Sequence, residues 1–561
     1  MPKKSASVPS LFELPVGDLA GVSLVLSQAL GVLPGLLEER IKLEQSDNLS
    51  RIYLLSKSCN CFAIAVIAPA GRFNPAEAKL KGWLEQNPTA GIGMIIDPES
   101  LECRFIRRRF DRAEFEYVPS YSLFPENGLL GDSGWVYSNQ GKGESRLLTL
   151  LSEKVEGVFF EIHSYFRDID GLHADEALDE LCKILYVKLY DEENTPQGRP
   201  YRMQRRLYTS ADECAADIRA LYFEAAEYDS RVFEMKVPGY ARSRGVFASP
   251  IRLSSPALVK AVEALQSYHL GNSAFDVKGR AFQKVIGPAM RSGMGQYFTP
   301  DPVIRFLTNV LHPSVRELIL DPFCGSGHFL TASLELVRRE YGKEDKLFHE
   351  FAFGKLHGLE KSDRMVRVAM TDMRLHGDGH SNIRCADSLL AFSNYPDIKP
   401  GSFDVILTNP PFGSILTADA IRHLGMFELA TGRNGVPLEI LGLERCVQLL
   451  RPGGRLGIVL PDGIIANRNT AYVRDWILNQ VKVRGIISLP VETFVPFGAS
   501  IKTCILILRR WEAGEAKETG YPVFMGRVDN VGYDATGKPK EGADLLDTTE
   551  AFQRFITEEG W

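Results

Sequence analysis

The chain has 561 residues, 45% of them hydrophobic and 24% charged, and a formal net charge of -6. That length exceeds a single core and implies about three domains, while the composition is that of a folded globular protein, with no apolar run near the roughly 20 residues that a membrane span needs. The acidic balance argues against a protein that wraps nucleic acid unaided, so any such contact needs a local basic surface or a partner.

The opening Met-Pro-Lys-Lys-Ser-Ala-Ser is polar and lacks an apolar signal region. The nine cysteines are scattered, and only Cys59 and Cys61 lie close together. A single C-x-C without a second pair is no zinc signature, and dispersed cysteines fit reduced thiols. A cytoplasmic protein without membrane attachment is the expectation.

From residue 49 to 120 short apolar runs read as strands at 51–56, 62–68, 92–96, 104–108 and 114–118. A helix is expected over 74–86, with Asn74 as its N-cap and Pro75 at its first position. Residues 1–121 thus read as a small α/β domain. Its element order resembles the nuclease-like domain at the start of type I restriction subunits. The strand that would carry the catalytic acid and the E-x-K pattern reads Ala-Ile-Ala-Val-Ile-Ala-Pro. It offers no carboxylate to hold a metal, so a degenerate or docking role is expected here and no metal site.

Residues 122–143, rich in Gly, Ser and Asn, read as a linker. From 144 to 290 the pattern is helical. Leu147, Leu150, Leu151, Val155 and Phe159 recur at helical spacing, and 177–190 repeats the pattern. The stretch Arg199–Tyr208 mixes arginines with aromatics, which suits phosphates and bases but equally a solvated loop beside a helix.

After 290 strands alternate with helices, at 318–320, 356–359, 382–384, 404–407, 456–460, 485–489 and 503–508. This alternation predicts a mostly parallel seven-stranded sheet of Rossmann-like type, whose ligands bind at the carboxyl ends of the strands. The first run ends in Asp321-Pro322-Phe323-Cys324-Gly325-Ser326-Gly327. Two glycines remove side chains where a strand turns into a helix. Alone they fit a plain tight turn, and the spacing is neither that of dinucleotide binders nor that of phosphate loops. Asp321 suits a cationic or amine-bearing ligand. The second run ends in Glu360, a carboxylate able to accept both hydroxyls of a ribose. The fourth ends in Asn409-Pro410-Pro411-Phe412. Two prolines stiffen the backbone and aim two acceptors, the Asn409 amide oxygen and the Pro410 carbonyl, at one point. Acceptors converging on an aromatic NH₂ would pull electron density onto its nitrogen, and Phe412 could stack on the ring that bears it.

These residues closely resemble the amino-methyltransferases of DNA, above all the modification subunits of type I restriction systems. The resemblance covers roughly 145–561. It implies a class I methyltransferase domain over 291–561, preceded by a helical domain over 144–290 that carries Lys188-Leu-Tyr-Asp-Glu. It also implies S-adenosylmethionine as cofactor, held by Asp321–Gly327, Glu360, Asn409 and Asp387, the last in the position of an acid that contacts the cofactor's adenine. Gln296, Tyr297, Phe298, Thr299 and Pro300 look like the segment that closes over the methionine end. Leu449–Pro461 and Asn530-Val-Gly-Tyr-Asp also match the pattern. The implied activity is methylation of adenine N6 in double-stranded DNA, with the target base turned out of the stack between Phe412 and Phe494 or Phe497. A specificity subunit is expected as partner, since no separate target-recognition domain follows the catalytic one, and a restriction subunit is a further candidate. The alternatives are cytosine N4 or a glutamine side-chain amide as acceptor, and a regulatory subunit that senses the cofactor within a phage-defence complex.

Overall fold

The computed structural model describes residues 22, 26, 41–46, 49–55, 61–68, 73–87, 90, 92–97, 103–109, 114–118, 137–139, 148–152, 157–197, 199–208, 210–236, 249–291, 299–342, 346–377, 382–395 and 397–561. The chain forms two compact units. The first gathers residues 1–152, 187–222 and 253–273, and the second gathers 153–186, 223–252 and 274–561.

In the first unit β1 (Ile41–Ser46), β2 (Leu49–Leu55), β3 (Cys61–Ile67), β4 (Ile92–Ile96), β5 (Cys103–Arg109) and β6 (Glu114–Val118) form one sheet in sequence order. Only β3 and β4 pair in parallel, because α1 (Phe73–Gln86) crosses between them. Its buried Phe73, Ala76, Leu80 and Leu84 meet Ile64, Val66 and Ile95 in the core. Five of the strands match the expectation and β1 is additional. The helix begins at Phe73, which places Asn74 inside it and not at the cap.

Also in this unit β7 (Thr149–Leu150) pairs in parallel with β8 (Tyr268–His269). This corrects the helical reading at Leu150, which is strand and exposed, whereas Phe159 is buried in a helix as expected; Leu147 and Val155 lie outside the described residues. Two-residue strands are too short to carry a period that distinguishes them from a helix. The Lys188–Glu192 motif is a structural latch. Asp191 accepts hydrogen bonds from the amides of Arg202 and Met203 at 3.1 and 2.8 Å, and Glu192 accepts from those of Leu270 and Gly271 at 2.9 and 2.7 Å. Lys188 lies 3.3 Å from Glu192. Two residues of the aromatic-arginine stretch have internal partners of the same kind. Arg202 pairs with Asp217 at 2.8 Å, and the Tyr208 hydroxyl donates to Asp217. Of the expected linker, Tyr137–Asn139 are described, and the buried Tyr137 takes a hydrogen bond from Gln204; its other residues lie outside the described ones.

The helical region comprises α2 (Val158–Asp170), α3 (Ala174–Asn194), α4 (Ala211–Lys236), α5 (Ser255–Leu265) and α6 (Phe275–Arg291). The second unit continues through α7 (Asp301–Leu311), β9 (Ile319–Asp321), α8 (His328–Tyr341), α9 (Lys346–Gly354), β10 (Leu356–Glu360), α10 (Asp363–Leu375), β11 (Ile383–Cys385) and β12 (Phe403–Thr408). A small hairpin of β13 (Ile415–Thr417) and β14 (Gly435–Pro437), with α11 (Ala418–Ile421) between them, leads into α12 (Leu438–Leu449). Then follow β15 (Leu450–Pro461), α13 (Gly463–Ala466), α14 (Ala471–Gln480), β16 (Val481–Ser488), β17 (Thr503–Arg510), β18 (Phe524–Arg527) and α15 (Leu545–Glu559).

The sheet of this unit has eight strands in the order β11-β10-β9-β12-β15-β17-β16-β18. All seven expected strands are present. The count is corrected to eight, because β18 adds in parallel to the outer edge of β16. Its half-exposed sequence Phe-Met-Gly-Arg lacks the continuous apolar run that marks a buried strand. β17 runs antiparallel to both β15 and β16, so the sheet is mixed. β9 and β12 are buried strands at its centre, and both end where the helix-bearing loops begin.

Candidate active site

The loops that leave β9, β10, β11 and β12 enclose a cavity of about 560 Å³. β9 ends in Asp321, which is 1% exposed. Its Oδ1 accepts from the Phe323 amide at 3.0 Å and from the Thr408 hydroxyl at 2.6 Å. The second bond joins the end of β9 to the end of β12. Burial pushes the Asp321 carboxyl up to about 7, with Glu360 adding to the rise and the two hydrogen bonds opposing it.

The turn after Asp321 needs its glycines. Gly325 and Gly327 have φ of 50° and 83°, the left-handed region in which other residues are strained. Glu360, at the end of β10, ties this turn down. Its Oε2 accepts from the Gly325 amide at 3.2 Å and its Oε1 from the Ser362 amide at 2.8 Å. Burial raises its pKa, while those N–H groups stabilise the charged form. After β11, Asp387 accepts from the Leu389 amide at 3.1 Å and pairs with Lys361 at 2.9 Å.

At the end of β12 the Asn409 amide is held by one side only. Its Nδ2 donates to Thr299 Oγ1 at 3.0 Å. Its Oδ1 is buried and has no hydrogen-bond partner among the described residues. A buried acceptor left open is costly, and such atoms mark places where a ligand completes the network. Phe412 is 7% exposed and stands edge-on to the buried Phe494, with ring centroids 6.3 Å apart. Behind the loop, α12 comes close at Gly442, where a side-chain carbon would lie 3.0 Å from Pro410 and 3.3 Å from Phe323.

Of the residues expected from the sequence, Thr299, Asp321, Pro322, Phe323, Gly325, Ser326, Glu360, Asp387, Asn409, Pro410, Pro411 and Phe412 all line this one cavity. Pro300 and Gly327 serve at its border, as the caps of α7 and α8. Gln296, Tyr297 and Phe298 lie outside the described residues. Phe494 backs Phe412, and Phe497 packs against Tyr533; neither lines the cavity. Sequence reasoning did not single out Thr408, His328 or Lys361. Thr408 could have been found as the buried polar residue that ends the apolar run Val405–Leu407. The other two carry no local signal. Among the described residues no cluster of His, Cys, Asp or Glu could hold a metal ion, and no helix is long and apolar enough to cross a membrane.

Residues 276–530 match the family model described as N-6 DNA Methylase. The chain is 29% identical over 238 residues to the methylase subunit of the type I restriction enzyme EcoEI of Escherichia coli, a match covering 41% of this chain and 46% of that one. It is 25% identical over 362 residues to the EcoKI methylase subunit of Escherichia coli strain K12, covering 61% and 64%. The match therefore spans less than two thirds of the length of either relative. Among solved structures, a Vibrio vulnificus chain described as a modification subunit of a type I restriction enzyme is similar with a TM-score of 0.52 at 19% identity, covering 72% of this chain and 90% of that one. At that identity the similarity speaks for the fold. The resemblance read from the sequence is borne out: the chain resembles N6-adenine methyltransferases of the modification-subunit kind.

Proposed function

We propose, from the match of residues 276–530 to the N-6 DNA Methylase family model, that the protein transfers a methyl group from S-adenosylmethionine to N6 of adenine in double-stranded DNA. In this reading it acts as the modification subunit of a restriction-modification system. The observation that carries the proposal is the Asn409 amide, which lines the cavity: Thr299 holds its nitrogen, and its buried oxygen has no hydrogen-bond partner among the described residues.

The cavity residues fit the cofactor. A volume of about 560 Å³ is within the range for a nucleoside-sized ligand. Glu360 has its carboxylate fixed by two backbone amides, and a carboxylate keeps lone pairs for ribose hydroxyls. Asp387 is assigned to the adenine, and Asp321 to the ammonium at the other end. When bound, S-adenosylmethionine supplies an electrophilic methyl group on a positively charged sulfur.

The chain's own contribution is positioning and hydrogen bonding. An adenine amine cannot reach this cavity from inside a duplex, so the base leaves the stack. Phe412 offers a face to the base, and Phe494 keeps Phe412 in place. Asn409 Oδ1 and the Pro410 carbonyl accept the amine hydrogens and make its nitrogen more nucleophilic. Because Thr299 already fixes the amide, little reorganisation is needed as charge develops. The target-recognition surface is assigned to a partner specificity subunit, in keeping with a net charge of -6. A restriction subunit is a further partner in such a system. The Gln296–Phe298 segment is assigned to closure over the methionine end of the cofactor.

The test is transfer of labelled methyl groups to unmethylated duplex DNA, followed by digestion to nucleosides. Label in N6-methyladenine supports the proposal. Label in N4-methylcytosine, or in protein, overturns it.

A further inference from the structure

His328 is the first residue of α8, directly after Gly327, and lines the same cavity as Asp321, Glu360 and Asn409. The mechanism above gives it no role. Its Nε2 is buried and has no hydrogen-bond partner among the described residues. Asp372 Oδ2, on α10, lies 3.9 Å away. Asp372 is itself fully buried. The same Oδ2 accepts from Gln283 on α6 at 3.2 Å. Its Oδ1 lies 3.4 Å from His376 Nδ1, and His376 Nε2 lies 3.2 Å from Glu335 on α8.

Two imidazoles therefore flank one buried carboxylate, and their surroundings set them apart. Burial works against a charge on both rings. At His376 the attraction of Asp372 and Glu335 overcomes it and lifts the pKa to about 10. At His328 burial prevails over the pull of Asp372 and of Asp301 on α7, and charged His376 adds to it, so the pKa is lowered. His376 thus carries the proton that balances Asp372, and His328 stays neutral. A neutral imidazole whose Nε2 faces a carboxylate keeps its one proton on that nitrogen. Nδ1 is then an acceptor on a ring that lines the cavity.

We propose that His328 is a cofactor-binding residue that reads the amino-acid end of the donor, its Nδ1 accepting a hydrogen bond from the donor's ammonium group. The proposal rests on the methyl-donor reading above. Glu360 and Asp387 mark the nucleoside end of the cavity, whereas His328 follows Asp321 and the glycine turn and feels Asp301, two residues beyond Thr299. Asp372 is the positioning residue behind it. Through Gln283 it links the site to α6, whose Gly279 allows close approach, since a side-chain carbon there would lie 2.4 Å from His376.

The test compares two probes by calorimetry at pH 8 on the full chain. S-adenosylhomocysteine keeps the amino acid, and 5′-methylthioadenosine lacks it. The wild type should bind the first more tightly. His328→Ala should weaken S-adenosylhomocysteine by about tenfold, the scale of one hydrogen bond to a charged group, and leave 5′-methylthioadenosine nearly unchanged. His328→Asn, whose amide oxygen can stand near the Nδ1 position, should recover part of the loss. Equal loss for both probes, or no loss for either, overturns the proposal. Should His328→Ala not fold, the amide pair decides: Asn must hold S-adenosylhomocysteine better than Gln, which reaches towards Nε2, and the reverse order overturns it. A wild type that binds neither probe overturns the methyl-donor reading itself, and this inference with it.

Discussion

Asn409 has one amide atom engaged by Thr299 and the other without a hydrogen-bond partner among the described residues, and that asymmetry predicts how its loss will read out. Asn409→Ala should lower methyl transfer by about 10²–10³-fold or more, the range for removing a preorganised polar contact to the reacting group. The affinity for S-adenosylhomocysteine should stay close to that of the wild type, because Glu360, Asp387 and Asp321 remain. Parallel loss of both, measured by transfer assay and calorimetry, would make Asn409 a structural residue. Asp321 gives a pH signature. Its carboxyl is raised to about 7, so below that pH the free protein holds it protonated, and pairing with a ligand's ammonium requires a proton to leave. Affinity for S-adenosylhomocysteine should therefore rise with pH from 6 to 8, by at most tenfold per unit. Asp321→Asn should flatten the profile at the weaker limit. Calorimetry in buffers of different ionisation enthalpy would count the released proton, and a profile that Asp321→Asn leaves unchanged would assign the titration elsewhere. At this scale the sequence was informative where function needs a local run of unusual residues, as in Asn409–Phe412 and Asp321–Gly327. Thr408, His328 and Thr299's hold on Asn409 were hidden because each acts on a residue far along the chain: 87 residues separate Thr408 from Asp321, and 110 separate Asn409 from Thr299.

The elements of the second unit were legible because buried parallel strands need continuous apolar runs, which punctuate the sequence at 318–320, 356–359 and 404–407. β18 escaped because an edge strand half-buried on one face and exposed on the other has no such run. The Leu147–Phe159 stripe misled in its middle for the opposite reason: Leu150 and Leu151 fall on a two-residue strand and just after it, while Phe159 does lie in α2. One element has a role that no periodicity reveals. α12 presents Gly442 to Pro410 and Phe323 at once, so a single helix backs both the catalytic and the cofactor turns. Gly442→Ala adds a carbon 3.0 Å from Pro410, and one of the turns must yield. Overpacking of this kind costs about 1–3 kcal/mol. Thermal melting should show that loss, and single-turnover transfer should fall beyond what the unfolded fraction explains. A variant that melts lower but transfers at the wild-type rate would show that the turns adapt.

For the molecule as a whole, charge decides what it can do alone. With a net charge of -6, the chain should retain duplex DNA poorly at physiological salt and gain both retention and methyl transfer when a basic target-recognition partner is added. Filter binding and labelled transfer, with and without co-purifying proteins, check this. Full activity by the chain alone would place recognition within its own 561 residues. The order of elements in the first unit was largely readable, since β2–β6 and α1 follow their apolar runs. What that unit does was not readable, because β3 carries no carboxylate or lysine from which to argue.

The hydroxyl of Thr408 on the carboxylate of Asp321 joins two strands that are each paired on both sides, β9 between β10 and β12, and β12 between β9 and β15. Amides in such doubly flanked strands exchange their hydrogens with solvent only when the whole sheet opens. The turns that bear Asp321 and Asn409 are thus rooted in the slowest-exchanging part of the molecule. Heating should then leave methyl transfer intact until the cooperative melt, and inactivation should coincide with the loss of deuterium protection in β9 and β12.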